Sequence, residues 1–372
     1  MDRLTTRSGT SRHTEPARAL AELKAAIEQP DMSVVLLFCS PSYDLDALGV
    51  EIARAFPCPV IGCTSAGQIG RGGYQRGGIS ATSVASAHLS ARPFLIAPMA
   101  SARQRAAAMA ATLRARPGPA VPGQRAFGLL FADGLSLAEE GLVATLFQSL
   151  GDVPIIGGSA GDDLEFRRTA VYWEGTFRSD AAVFTYFETT LPFAAFKLQH
   201  FAPTGRKLVI TSADPSTRLV REINGLPAAQ AYAGMLGLTA AGLDPAVFSA
   251  HPLILDIGGE NYVRSIAHAN ADGSMTFFCA IDEGLVVSIA QGLDPLGALE
   301  HEFDRVASEI GRPALVIGCD CILRRLELEK RGLDDEVGTF LAERGVVGFS
   351  TYGEQFNAVH VNQTFTGLAI AG

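Results

Sequence analysis

The apolar positions of this chain follow two rhythms. Unbroken runs such as MSVVLLFCS (32–40) and RAFGLLFADG (125–134) have the continuous hydrophobicity of strands buried on both faces. Between such runs, apolar residues recur three and four apart. Leu45, Leu48, Ile52 and Phe56 share one helical face. Further helices are predicted over 101–115, 136–150, 226–237 and 296–310, and two more fill 321–344. Ser136 and Glu139 have capping-box spacing at the start of one of them. Alternating segments at 77–86, 88–98, 169–175 and 181–188 predict paired strands, and 195–292 is rich in strand and turn signals.

Strands alternating with helices predict an α/β fold. The hairpin-like pairs make the sheets mixed, so each of two domains is expected to hold a mixed β-sheet packed by helices. The boundary falls near 188–200, giving domains at 31–190 and 195–372. The polar opening MDRLTTRSGTSRHTEPA has no apolar core and reads as a flexible tail over 1–30, not as a secretory signal.

At 372 residues, two domains are the ordinary expectation. A net charge of −9 opposes non-specific nucleic-acid binding. No apolar run approaches the roughly 20 residues that a membrane-spanning helix needs. Cys39, Cys58, Cys63, Cys279, Cys319 and Cys321 mostly sit in apolar runs, which favours buried reduced thiols. A cytoplasmic protein is expected.

One local pattern occurs three times: VIGCTSAGQIG (60–70), IIGGSAGDD (155–163) and VVGFSTYGEQF (346–356). Each is an apolar run, a glycine, small hydroxyl residues, then another glycine beside a polar side chain. Such a corner is either ordinary α/β punctuation or a place where a polar ligand reaches backbone N–H groups and hydroxyls. Three copies favour a shared pocket, with Gly62, Thr64, Ser65, Gly157, Ser159, Gly353 and Glu354 as lining candidates. No P-loop is present. GGSAG at 157–161 fits the letters of a nucleophile elbow, but the following DDLEFRRTAVYW reads as loop and strand where that motif needs a helix. Catalysis is therefore not expected.

GCTSAGQ, GGSAGDD, VITSADPSTRLVREINGLPAAQAY and GFSTYGEQF, in this order, resemble the FIST family of sensory proteins. QHFAPTG, YVRSIAHANADGSMTFFCAIDEGLVVSIA and ALVIGCDCILRRLELE resemble more narrowly the nitric-oxide-sensing haemoproteins of that family. The resemblance implies a FIST N domain followed by a FIST C domain and a non-catalytic sensor with haem as cofactor. It also implies nitric oxide as ligand, and a histidine kinase or cyclic-di-GMP enzyme as a separate partner; a homo-oligomer is compatible with it. A haem-free sensor of a small metabolite such as an amino acid is the alternative.

A haem site needs an axial ligand and an apolar slot. Of seven histidines, His200 leads, flanked by Phe196 and Phe201 at the expected domain junction, with His360 next. Arg264 is a candidate partner for a propionate. Glu354, in the third corner, is a candidate partner for a ligand amine.

Overall fold

The structure is a computed structural model that describes residues 4–115 and 121–372. Its body is one pattern used three times. The first unit runs β1 (Thr5–Ser11), α1 (Pro16–Ile27), β2 (Met32–Cys39), α2 (Leu45–Ala55), β3 (Val60–Thr64), β4 (Gln68–Gly70), β5 (Gly73–Gln75) and β6 (Ile79–Ala85). The second repeats it as β7 (Leu89–Ile96), α3 (Ala102–Arg114), β8 (Arg125–Ala132), α4 (Glu139–Leu150), β9 (Ile155–Ser159), β10 (Val171–Trp173), β11 (Thr176–Arg178) and β12 (Ala182–Thr189).

The third unit opens with β13 (Phe193–Leu198) and is then interrupted. The interruption holds β14 (Phe201–Asp214), β15 (Leu219–Ile223), β16 (Leu226–Pro227), α5 (Ala228–Leu236), α6 (Pro245–Ala250), β17 (Leu253–Ile257), β18 (Glu260–Arg264), β19 (Ile266–Ala269), β20 (Met275–Phe277) and β21 (Val286–Gly292). The unit resumes with α7 (Pro295–Ile310), β22 (Pro313–Cys321), α8 (Ile322–Arg331), α9 (Asp334–Glu343), β23 (Val346–Thr351), β24 (Glu354–Phe356), β25 (Val359–Val361) and β26 (Phe365–Ala371).

Each unit builds one six-stranded sheet with the same strand order, and each sheet is completed by a hairpin from the next unit in a closed cycle. The β10–β11 hairpin adds to β3, with Val171 opposite Cys63. The β24–β25 hairpin adds to β9, and the β4–β5 hairpin adds to β23. In every sheet the central pair is parallel: β2 with β3, β8 with β9, β22 with β23. Parallel strands buried on both faces explain why these runs carry no polar alternation. Phe38, Phe131 and Phe349, one from each sheet, meet at the centre with ring centroids 4.5–5.5 Å apart. Each such ring contributes about 2 kcal/mol of apolar burial. Helices cover the outer faces and close a separate apolar layer on each sheet.

The fold is α/β with mixed sheets packed by helices, as the pattern predicts. The junction expected at 188–200 falls where the chain leaves β12 and enters the third unit. Two hairpins cross it, so strands of the first half complete a sheet of the second, and the reverse.

Two expectations are corrected. Within the segment read as a flexible tail, residues 5–11 pair along their whole length with β6, from Thr5 opposite Ala85 to Ser11 opposite Ile79. α1 then buries Ala19, Leu20, Leu23 and Ile27 against the first sheet. The segment is polar because β1 is an edge strand with one wet face, not because it lacks structure. Residues 1–3 lie outside the described residues. The capping box also does not form: α4 begins at Glu139, Ser136 Oγ has no hydrogen-bond partner, and the Glu139 carboxylate turns to an arginine far along the chain.

Candidate functional site

The three corners meet one another. Where each strand ends, the backbone gives one hydrogen bond to the neighbouring unit and takes one back. Ser159 N donates to Gly353 O, and Tyr352 N donates to Ser159 O. Ser350 N donates to Gly67 O, and Ala66 N donates to Ser350 O. Gly161 N donates to Thr64 O, while Thr64 N donates to Ala170 O. The repeated motif is therefore the place where each hairpin leaves its own sheet for that of the preceding unit in the cycle.

The corner glycines have two different reasons. A β-carbon on Gly62 would overlap the Leu37 carbonyl oxygen of the adjacent parallel strand. The same holds for Gly157 over Leu130 O and Gly348 over Gly318 O. Gly62 and Gly157 thus serve close strand packing, which replaces the ligand-approach role expected for them. Gly353 is different: a β-carbon there would overlap the His360 ring and stand 3.2 Å from Asn362 Nδ2.

The hydroxyls divide likewise. Thr64 Oγ1 accepts from Ala170 N at 3.0 Å, and Ser65 Oγ donates to Cys39 O at 3.2 Å and accepts from Gln68 Nε2 at 2.9 Å. Both are spent inside the first corner. Ser159 faces another way. Its Oγ accepts from Gln355 Nε2 at 3.0 Å and lies 3.4 Å from Glu139 Oε1. Gln355 Nε2 also lies 3.2 Å from His360 Nδ1.

This is the edge of a buried polar cluster at the join between the body and the inserted sheet. Arg218, from the inserted sheet, donates through Nη2 to Glu139 Oε2 at 2.7 Å and Glu140 Oε2 at 2.8 Å. Its Nη1 donates to Phe278 O, and Ala280 N donates to Glu140 Oε1. Burial opposes the charge of Arg218, but the two carboxylates more than offset it and hold the guanidinium above its ordinary value. Burial pushes Glu140 up; His360, Arg218 and the Ala280 amide outweigh that and keep it below the usual carboxylate range. Burial pushes His360 down against the pull of Glu140 and Glu139. Ser265 Oγ donates to Gln363 Oε1 at 2.9 Å, fastening the end of β18 beside residues 362–363.

Inside this cluster several polar atoms are buried without a hydrogen-bond partner in the protein: Gln355 Oε1, His360 Nε2, both amide atoms of Asn362, and Arg264 Nε. A surface cleft of about 650 Å³ shares Glu140 and Ala280 with the cluster and is otherwise lined by Met99, Arg103, Leu137 and Pro215 among others.

The residues expected to hold haem do not assemble around one slot. His200 is fully buried, with Nε2 2.6 Å from Glu327 Oε2 and Nδ1 without a partner. Burial pushes its pKa down against Glu327. Burial pushes Glu327 up, and His200 and Arg331 outweigh it, so the carboxylate is the charged member of the pair. Phe201 packs 4.5 Å from the His200 ring and otherwise against Ile254, Val263 and Ala290. Phe196 lies in a different core, with Phe303 and Phe365. His360 and Arg264 belong to the polar cluster, where Arg264 Nη1 reaches Val263 O at 3.3 Å. As placed, this set does not fit a haem. Among the described residues no group of three or more His, Cys, Asp or Glu is arranged to hold a metal ion.

Glu354 is not open to a ligand amine. It is fully buried and hydrogen-bonded to Thr351 Oγ1 and to the hydroxyl and amide of Thr364. Burial pushes its pKa up to about 8 against those three donors. The folded state therefore holds a proton that the unfolded chain releases near pH 4.3. Stability from this group is complete at pH 4 and declines as pH rises toward 8, by at most about 1.4 kcal/mol per pH unit. Glu354→Gln is expected to flatten that decline, gaining on the parent protein as pH rises. Urea midpoints from pH 5 to 8 check this, and parallel pH profiles would refute it.

Sequence reasoning missed Glu140, Arg218, Gln355 and Asn362, and took Glu139 for a cap. The available signal was proximity: Gln355 and Asn362 stand in the same short stretch as Glu354 and His360.

No helix among the described residues is long and apolar enough to cross a membrane. Comparison with known proteins returns an uncharacterized protein of Methanocaldococcus jannaschii, 26% identical over 277 residues, which cover 65% of this chain and 53% of that protein. The chain thus spans about half the length of this curated relative. Among solved structures, a cyanuric acid hydrolase from A. caulinodans aligns over 50% of this chain and 71% of its own, at 10% identity and a TM-score of 0.27, too low to bear on fold or function. The FIST N domain matches residues 33–226 and the FIST C domain matches residues 228–357. The chain therefore belongs to the FIST family, whose domains are sensory.

Proposed function

We propose that the protein is a cytoplasmic sensory subunit that binds a small polar metabolite, such as an amino acid, in the cluster around Gly353. It passes the bound state to a separate partner, a histidine kinase or a cyclic-di-GMP enzyme. One observation carries this reading: the unpartnered polar atoms on Gln355, His360, Asn362 and Arg264. Such groups are destabilising in a folded core, and clusters of them need a reason. A ligand that met them would touch the body and the inserted sheet together. Its binding would favour one relative placement of the two, and a partner can read such a shift.

The reading is non-enzymatic. Ser159 Oγ is engaged by Gln355 and Glu139, and the imidazole of His360 reaches Gln355 rather than the hydroxyl. β9 runs into a loop and then β10, with no helix behind the serine.

Haem and nitric oxide are the second reading. The narrower resemblance supports it, together with the buried, unpartnered Nδ1 of His200. One set of measurements separates the two. Purified protein is titrated with hemin, and separately melted with a panel of common amino acids and their N-acyl and lactam derivatives at millimolar concentration. The expected result is no stoichiometric Soret band and a melting temperature raised by at least one member of the panel. A Soret band that shifts with nitric oxide, and that His200→Ala abolishes while His360→Ala does not, would replace the first reading by the second.

A further inference from the structure

The atoms left free around Gly353 have a definite chemistry. We propose that they recognise a small monocarboxylate whose nitrogen is a neutral amide, with the carboxylate on Arg264 and the amide on Asn362. The proposal rests on the metabolite-sensing reading and narrows it.

The carboxylate follows from charge. Arg264 is only 8% exposed and carries a permanent charge. Among the described residues it makes no ion pair, and its Nε meets nothing. Arg218 takes both neighbouring carboxylates, Glu139 and Glu140, and leaves Arg264 without an acidic partner. A buried guanidinium that no carboxylate pairs is strongly unfavourable. A guanidinium edge binds a carboxylate through two parallel hydrogen bonds.

The neutral nitrogen follows from what is left to accept. Both carboxylates are engaged: Arg218 holds one oxygen of each, and Ala280 N and Ser159 Oγ face the other two. The free acceptors are the amide oxygens Asn362 Oδ1 and Gln355 Oε1. An ammonium buried against neutral oxygens loses more hydration than they return. A primary amide with both atoms free instead matches the N–H and C=O edge of a cis amide, donor to acceptor and acceptor to donor. Because Gly353 has no side chain, the His360 edge and Asn362 Nδ2 lie side by side against its backbone. The bond from Ser265 to Gln363 brings the Arg264 end alongside. These short spans call for a compact ligand, and the cleft sharing Glu140 and Ala280 with the cluster is its route in.

Three probes of one ring size separate the parts. L-pyroglutamate has both the carboxylate and the lactam. L-proline keeps the carboxylate but carries an ammonium, and 2-pyrrolidinone keeps the lactam without the carboxylate. Calorimetric titration of the full chain is expected to rank pyroglutamate first, with each of the others roughly tenfold weaker or more. Arg264→Met should remove the preference for pyroglutamate over 2-pyrrolidinone, and Asn362→Leu the preference over proline. Both variants should melt, ligand-free, at or above the parent temperature, because each removes an unsatisfied buried polar group. Proline binding as tightly as pyroglutamate overturns the proposal and leaves the sensing reading standing. Absence of binding by all three probes also overturns it, and the ligand-free melt of Asn362→Leu then judges the wider reading. A lowered melting temperature would make the cluster structural and sink that reading too, while an unchanged or raised one would keep it.

Discussion

Gly62→Ala is expected to destabilise the protein by more than about 4 kcal/mol, enough to remove most soluble folded material. The added carbon would overlap the Leu37 carbonyl oxygen, and that atom cannot move aside. It belongs to β2, whose ladder pairs Leu37 with Gly62 on one side and with Ala81 on the other. Relief would require the central parallel pair of the first sheet to separate, with Phe38 and its aromatic contacts at the body's centre. Gly157→Ala and Gly348→Ala should behave alike, since the same overlap recurs in the other two sheets. Gly234→Ala, inside α5 with open space at its β-carbon, is the control and should be neutral or stabilising by up to about 1 kcal/mol. Soluble yield and urea midpoints check the series. A Gly62→Ala protein within about 1 kcal/mol of the parent would show that the three strand pairs are looser than described.

Arg218→Ala is the second large effect, expected at about 3–5 kcal/mol. The loss is less the pair itself than the charge left behind: Glu139 would stay buried without its cation. That predicts a signature in pH. In the variant Glu140 loses the Arg218 charge that helps hold its carboxyl below the usual range, and with it stability that is present above the unfolded carboxylate value. The defect should therefore be smaller near pH 4 than near pH 8. Adding Glu139→Gln should recover part of the stability, because the two changes act on one interaction. Limited proteolysis should locate the damage at the inserted sheet, which Arg218 ties to α4. A defect that is constant from pH 4 to 8 and additive with Glu139→Gln would refute this account.

How much of this was legible beforehand depends on how far apart the interacting residues lie. Unbroken apolar runs and helical spacing located β2, α2, β8, α7 and the pair α8 and α9 to within a few residues, because a strand or helix that buries its own face carries its period in its own stretch of chain. The triple corner was visible too, and so were Ser159, His360 and Gly353 as members of a site. Tertiary structure decided the rest. β1 was read as a tail because TTRSGTS has no apolar rhythm; it becomes a strand only because β6 offers it an edge. The three corners read as ligand turns, while only the assembled sheets reveal that the first glycine of each is fixed by a neighbouring carbonyl and that each hairpin crosses to the sheet of the preceding unit. Glu139 had the spacing of a cap, and its actual partner lies 79 residues away. Gln355 meets Ser159 across 196 residues, and Ser265 meets Gln363 across 98. A chain's local pattern records what each segment must bury, whereas the partner of a buried polar group is chosen by packing between distant segments, and no periodicity carries that choice.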